Sequence, residues 1–125
     1  MTRRRPVPQI HHTIDYIEIP ARDLKAATAF YGAAFGWTFN DYGPAYAGIR
    51  TADGEGEVGG INATEDTAGP GGPLVLLYSD DLEATAEAVV AAGGAVVRGP
   101  YPFPGGRRLH FTDPSGNELG VWSER

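Results

Sequence analysis

The side chains best suited to moving a proton gather near the end of the 125-residue chain: Arg108, His110 and Glu118. Imidazole ordinarily titrates nearest neutral pH, so His110 is the candidate acid or base. Glu118, or Glu18 from the other end of the chain, is the candidate carboxylate to orient it. Arg108 is a candidate polar anchor for a bound molecule. The same residues also permit a plainer arrangement. Glu118 can pair with Arg108 across a hairpin, a contact worth under about 1 kcal/mol, while Glu18 binds a backbone group.

One turn must position these groups. Asp113-Pro114-Ser115-Gly116-Asn117 carries a strong turn signal, with Pro presetting one backbone angle and Gly supplying the left-handed one. Alternating sequence before and after it predicts a β-hairpin over 107–122. Alternation sends Leu119 and Val121 to the core and Glu118, Gly120 and Trp122 to the other face, which Arg108 and His110 share. A register slip of one residue would reverse both sets.

The pattern recurs about sixty residues earlier, as Ile49-Arg50-Thr51, a turn at Ala52-Asp53-Gly54, and Glu57 to Ile61. Setting Gly56 on Gly116 places Gly60 on Gly120 and Ile61 on Val121. Upstream, Arg22-Asp23-Leu24 echoes Asp80-Asp81-Leu82, each after an apolar run. A β-α-β-β-β unit used twice accounts for both echoes.

Ile14 to Leu24, Phe30-Tyr31, Phe35-Gly36-Trp37 and the Asp-Pro-Ser-Gly-Asn turn resemble the vicinal oxygen chelate superfamily, which holds glyoxalase I, the bleomycin-resistance proteins and the extradiol dioxygenases. The resemblance covers about residues 12–123. It implies an α+β fold of two βαβββ modules whose curled mixed sheets enclose a cleft, and a homodimer. The division is a disordered tail over 1–9, then a single domain over 10–125. Within it, module 1 spans about 10–67, a Gly/Pro linker 68–73, and module 2 about 73–123.

In that family a metal centre takes four side chains. The matching positions here are Tyr16, Leu74, Gly60 and Gly120. Leucine and glycine offer no donor to a divalent ion, so the resemblance implies neither metal nor cofactor. The position of His110 corresponds to a cavity-facing residue that assists catalysis in the dioxygenase branch. Glu18, Glu118 and His110 remain as a displaced metal set, the alternative reading. His11 and His12 are adjacent and would point to opposite faces of a strand.

The remaining elements follow from pattern. Strands are predicted over 12–19, 37–39, 45–51, 57–63, 73–78 (buried) and 95–98. One helix runs from Asp23 to about Phe35 and stops at Gly36. A second is capped by Asp80, with Glu83 completing a capping box; Leu82, Ala86, Val89 and Val90 face inward, and Gly93-Gly94 ends it. The Pro- and Gly-rich stretch 100–106 reads as a loop, and its segment Tyr101-Pro102-Phe103-Pro104 is expected to close over the mouth of the cleft. Ile17, Ile19, Val75 and Leu77 take the helix side. Ile14, Tyr16, Glu18, Val58, Asn62, Leu74, Leu76 and Tyr78 take the cleft side.

The net charge of −6, with Lys25 the lone lysine, argues against nucleic acid. Arg3-Arg4-Arg5 reads as a solvated terminus or a short basic arm. No apolar run reaches membrane-spanning length and no signal peptide is evident, so no membrane partner is expected and the cytoplasm is the default compartment. The chain has no cysteine.

Two functions stay open. The cleft holds a ring-bearing organic molecule, with Tyr16, Tyr78 and Trp122 as flat faces and Asn62 and Arg108 as polar anchors. Tyr46 and Trp37 are further aromatic candidates, although Trp37 also fits the core. The molecule is either sequestered unchanged or altered by metal-independent proton transfer of isomerase or lyase type. A non-catalytic interaction module is the third reading; inward polar groups speak against it, since buried polar atoms without partners are costly.

Overall fold

The computed structural model describes residues 10–11, 14–64 and 68–125. The tail over 1–9 and His12 lie outside the described residues. Among the described residues, ten elements run in the order β1 (Ile17–Pro20), α1 (Leu24–Phe35), β2 (Phe39–Asp41), β3 (Tyr46–Arg50), β4 (Glu57–Asn62), β5 (Leu76–Tyr78), α2 (Leu82–Ala91), β6 (Ala95–Phe103), β7 (Gly106–Thr112) and β8 (Glu118–Ser123).

They form two four-stranded sheets of identical topology. Sheet A is ordered β1-β4-β3-β2 and sheet B β5-β8-β7-β6. In each, the first strand pairs parallel with the last and the other pairings are antiparallel. Glu18 lies opposite Gly60 and Leu76 opposite Gly120, so the duplication read from sequence holds strand for strand. The sheets are not closed around an enclosed cleft; each keeps one open face.

Each helix covers the other face of its sheet. Asp23 caps α1 by accepting from the Ala26 N–H, and Gly36 ends it in the left-handed conformation, φ 73°, which a residue with a Cβ adopts only at a cost. Ala27, Phe30 and Tyr31 of α1 are buried with Ile19, Ile49 and Ile61 of sheet A. Leu82 and Val89 of α2 are buried with Leu109, Phe111, Leu119 and Val121 of sheet B. Each Leu, Ile, Val and Phe side chain among them contributes about 1.5–3 kcal/mol on leaving water. The helices also pack on one another, joining both halves in one core.

The Asp113 turn is the joint between the halves. Its carboxylate accepts from the N–H groups of Ser115 and Asn117, from the Asn117 amide, and from the Tyr31 hydroxyl of α1. Asn117 also donates to the Pro20 carbonyl at 2.7 Å, and the Ser115 hydroxyl accepts from the Arg22 N–H. Trp37 stacks on Tyr31 with 4.6 Å between centroids, which places it with the core.

Several sequence expectations need correction. Residues 14–16 lie outside β1, so Tyr16 precedes the strand, and β2 begins two residues later than expected. The stretch over 73–78 is neither fully strand nor buried: only Leu76–Tyr78 pairs, and Leu74, Leu76 and Tyr78 are exposed. Asp81, not Asp80, caps α2, and Glu83 pairs with Arg107 instead of closing a capping box. Val90 is exposed, because only Leu82 and Val89 of α2 reach full burial. The 100–106 loop is mostly strand. Shifts of register near Val96–Arg98 and Arg98–Tyr101 absorb its Gly and Pro, and β6 continues to Phe103.

Candidate functional site

The open face of sheet B carries the acid–base groups. Strand β7 alternates Leu109 and Phe111 into the core against Arg108 and His110 on the open face. Cross-strand pairing puts Tyr101 and Trp122 beside Arg108, and Arg98 and Gly120 beside His110. The parity read from sequence is therefore correct for Arg108, His110, Glu118 and Trp122. Sequence placed Tyr101 only in a loop over the cleft; the structure puts it in strand β6 beside Arg108.

Four side chains form a continuous line. Glu118 Oε2 lies 2.7 Å from His110 Nδ1. His110 Nε2 lies 2.8 Å from the Tyr101 hydroxyl. That hydroxyl accepts from Arg108 Nε at 2.6 Å. A neutral His110 whose Nδ1–H donates to Glu118 accepts the Tyr101 O–H at Nε2, a direction compatible with the Arg108 N–H on the phenol oxygen. Glu118 thus pairs with His110 rather than with Arg108, as the plainer sequence reading had allowed. His110 is only 5% exposed and both its ring nitrogens are engaged, whereas Tyr101 is half-buried.

Aromatic rings and cations flank this line. Trp122 meets Tyr78 edge-on at 4.9 Å and Phe103 at 6.2 Å between centroids. The Arg98 guanidinium sits 4.7 Å from the Tyr101 ring centre, and the Arg108 guanidinium 5.4 Å from that of Phe103. Both arginines stand on one face of a chain whose net charge is −6.

The open face of sheet A has the opposite character. Tyr16 and Tyr46 join hydroxyls at 2.6 Å, Tyr46 donates to Glu18 at 3.0 Å, and Asn62 donates to the same carboxylate at 3.0 Å. Burial first, then the hydrogen bonds to Tyr16 and Glu18, push the Tyr46 phenol well above its ordinary value. The shift favours the protonated phenol. Glu57, 6% exposed, was not singled out from sequence. Its carboxylate accepts from Asn40 at 2.8 Å and from Tyr42, over the space that Gly48 leaves without a Cβ.

Tyr16, Glu18 and Asn62 thus come together on one sheet, and Tyr78, Arg108, His110, Glu118 and Trp122 on the other. Glu18 and Glu118 share the wall of a cavity of about 240 Å³ beneath the Gly/Pro linker. A second cavity, about 520 Å³, lies at the seam of β1 and β5, lined by Ile17, Ile19, Trp37, Ile49, Val58 and Leu77 among others. Ile17 and Val58 line it and remain 37% and 40% exposed. Its described lining holds no carboxylate or imidazole, so it is apart from the acid–base groups.

The positions matching the family's metal centre do not fit a metal. A Cβ on Gly60 would meet the hydroxyls of Tyr46 and Tyr16, and one on Gly120 would meet the Leu76 side chain. The ground that two ligands would need is already filled. Among the described residues no group of three His, Cys, Asp or Glu is placed to hold an ion, which also leaves the displaced set of Glu18, Glu118 and His110 unassembled.

Comparison with known proteins agrees with this architecture. A family model described as the Glyoxalase/Bleomycin resistance protein/Dioxygenase superfamily matches residues 13–121. The anthracycline biosynthesis protein DnrV of Streptomyces peucetius is 30% identical, over 86% of this chain and 45% of its own length. The chain thus spans about half the length of that relative and of others it matches. A glyoxalase-related enzyme from Fulvimarina pelagi superposes with a TM-score of 0.76 at 23% identity, covering 90% of this chain and 88% of the other. TnmS3, an antibiotic binding protein from Streptomyces sp. CB03234, superposes with a TM-score of 0.66 at 22% identity, covering 93% and 98%.

Proposed function

The chain belongs to the Glyoxalase/Bleomycin resistance protein/Dioxygenase superfamily, and within it we propose that the open face of sheet B binds a small ring-bearing organic molecule. One observation carries this reading: Trp122, between Tyr78 and Phe103, offers flat apolar surface beside the guanidinium of Arg108. Rings lie against such surfaces, and a few convergent polar groups fix their orientation. Two arginines on this face favour a ligand with a carbonyl, phenolate or carboxylate oxygen. A relative named for anthracycline biosynthesis and a fold neighbour described as an antibiotic binding protein support the ligand class.

A second copy completes the site. Sheet A presents Glu18, Glu57 and three tyrosines, sheet B two arginines, so a sheet A laid over a partner's sheet B pairs opposite charges. Ile17, Val58, Leu74, Leu76 and Tyr78 stay 37–48% exposed along these faces and edges, apolar surface that a symmetric dimer would cover.

The bound molecule is held unchanged or undergoes metal-independent proton transfer. The Glu118–His110 pair favours the second, since carboxylate behind imidazole is the arrangement of an oriented base. Fluorescence titration with an anthracycline tests the binding reading. Quenching in the wild type is expected, with Trp122→Ala or Tyr16→Ala weakening affinity by about tenfold or more, and by more than His110→Ala. Equal affinity in all four proteins would place the ligand elsewhere.

A further inference from the structure

We propose that Tyr101, rather than His110, exchanges a proton with the bound molecule, and that the molecule it acts on is an enolisable ring ketone. This rests on sheet B being the ligand face. His110 is nearly inaccessible, and its two nitrogens face Glu118 and Tyr101. A proton that leaves His110 at Nε2 passes through the Tyr101 hydroxyl, and one that leaves at Nδ1 passes to Glu118. Tyr101 is less buried than His110 and stands on the same face as Trp122, cross-strand from Arg108.

The charges generated by the transfer have counterparts in place. As a ligand C–H gives its proton to the Tyr101 oxygen, the Tyr101 proton passes to His110 Nε2, 2.8 Å away. The C–H electron pair becomes the enolate double bond, and the carbonyl pair moves to oxygen. One proton has left the ligand and one resides on His110. The imidazolium then sits 2.7 Å from Glu118, and the enolate oxygen forms on the face that holds Arg108 and Arg98. Reversal returns a proton to carbon, so the step needs no oxidant or reductant. Tyr101 is the catalytic residue in this scheme; His110 and Glu118 act through it.

The test uses 2-tetralone, a fused-ring ketone with acidic α-hydrogens, and the full chain in deuterated buffer. Fluorescence quenching reports binding, and NMR reports deuterium entering the α-position. Wild type is expected to quench and to exchange faster than buffer. Tyr101→Phe, which keeps the ring and removes the hydroxyl, should quench within about twofold and exchange about 10²–10⁴-fold more slowly. Quenching without exchange in the wild type, or undiminished exchange in Tyr101→Phe, overturns the role of Tyr101. Absence of quenching in the wild type overturns the ligand face, and this proposal with it.

Discussion

The Tyr31 hydroxyl donates to Asp113 Oδ2 over 2.8 Å, joining the first helix to a turn 82 residues further along the chain. Both side chains are buried, and the contact ties the two halves together. Tyr31→Phe should lower stability by about 1–3 kcal/mol in denaturant unfolding, the cost of leaving a buried acceptor short of a donor.

The same contact sets an alkaline limit. Burial first, then the charge and hydrogen bond of Asp113, raise the Tyr31 phenol well above its ordinary value. A raised folded value means stability is fully present below the unfolded value, about 10, and is lost as pH rises beyond it. Melting temperature followed from pH 8 to 12 should fall more steeply for wild type than for Tyr31→Phe. Parallel curves would show that Tyr31 does not titrate with unfolding.

How much of this was legible depended on what fixed each element. The duplicated modules could be read because the turn at Asp113, the cap at Asp23 and the stop at Gly36 are local backbone chemistry. The cleft-side parity of His110 and Trp122 was legible because a paired strand of period two leaves no freedom once Leu109 and Val121 are core. Tyr101 was not. Its strand contains Gly99, Pro100 and Pro102, which read as a loop, and only pairing with Arg108 and Arg107 keeps it extended. Glu57 was missed for a similar reason. The register shift between Ile49 and Arg50 pairs Glu57 with Arg50 and turns it toward Gly48, away from the face that simple alternation assigns. The turn's role as a joint, with Asp113 and Asn117 spent on Tyr31 and Pro20, needed the far half of the chain.

Gly59 offers a sharp test of the strand pairing. A Cβ there would run into the Ile17 carbonyl, which is backbone and cannot swing aside. Gly59→Ala should destabilise by about 1–3 kcal/mol, as overpacking does, by forcing β1 away from β4. Gly72, with open space around its would-be Cβ, is the control, and Gly72→Ala should be near neutral. Equal unfolding midpoints for the two variants would contradict the β1–β4 register.

The metal positions give a compositional prediction. Leu74, Gly60 and Gly120 supply no donor atoms, and Tyr46 and Leu76 occupy the space at the two glycines. Elemental analysis of tag-free protein should find no stoichiometric zinc, nickel, iron or manganese. One ion per chain, lost in His110→Ala, would instead establish a site built from Glu18, His110 and Glu118.

Mixing experiments can show whether a cleft is shared between copies. Sedimentation should first find a dimer at micromolar concentration; monomer alone would remove the proposed partner sheet. If sheet A of one copy covers sheet B of the other, Glu18→Ala and Trp122→Ala each damage both clefts of their own dimer. In a mixed dimer, one cleft receives both substitutions and the other receives none. Random re-pairing makes half the dimers mixed, so about one cleft in four regains wild-type binding. Fluorescence titration of the re-paired mixture with an anthracycline should show that fraction as a high-affinity phase, absent from either variant alone. If each cleft lies within one chain, mixing restores nothing, and the charge complementarity between Glu18 and Arg108 would then operate between the two sheets of a single copy.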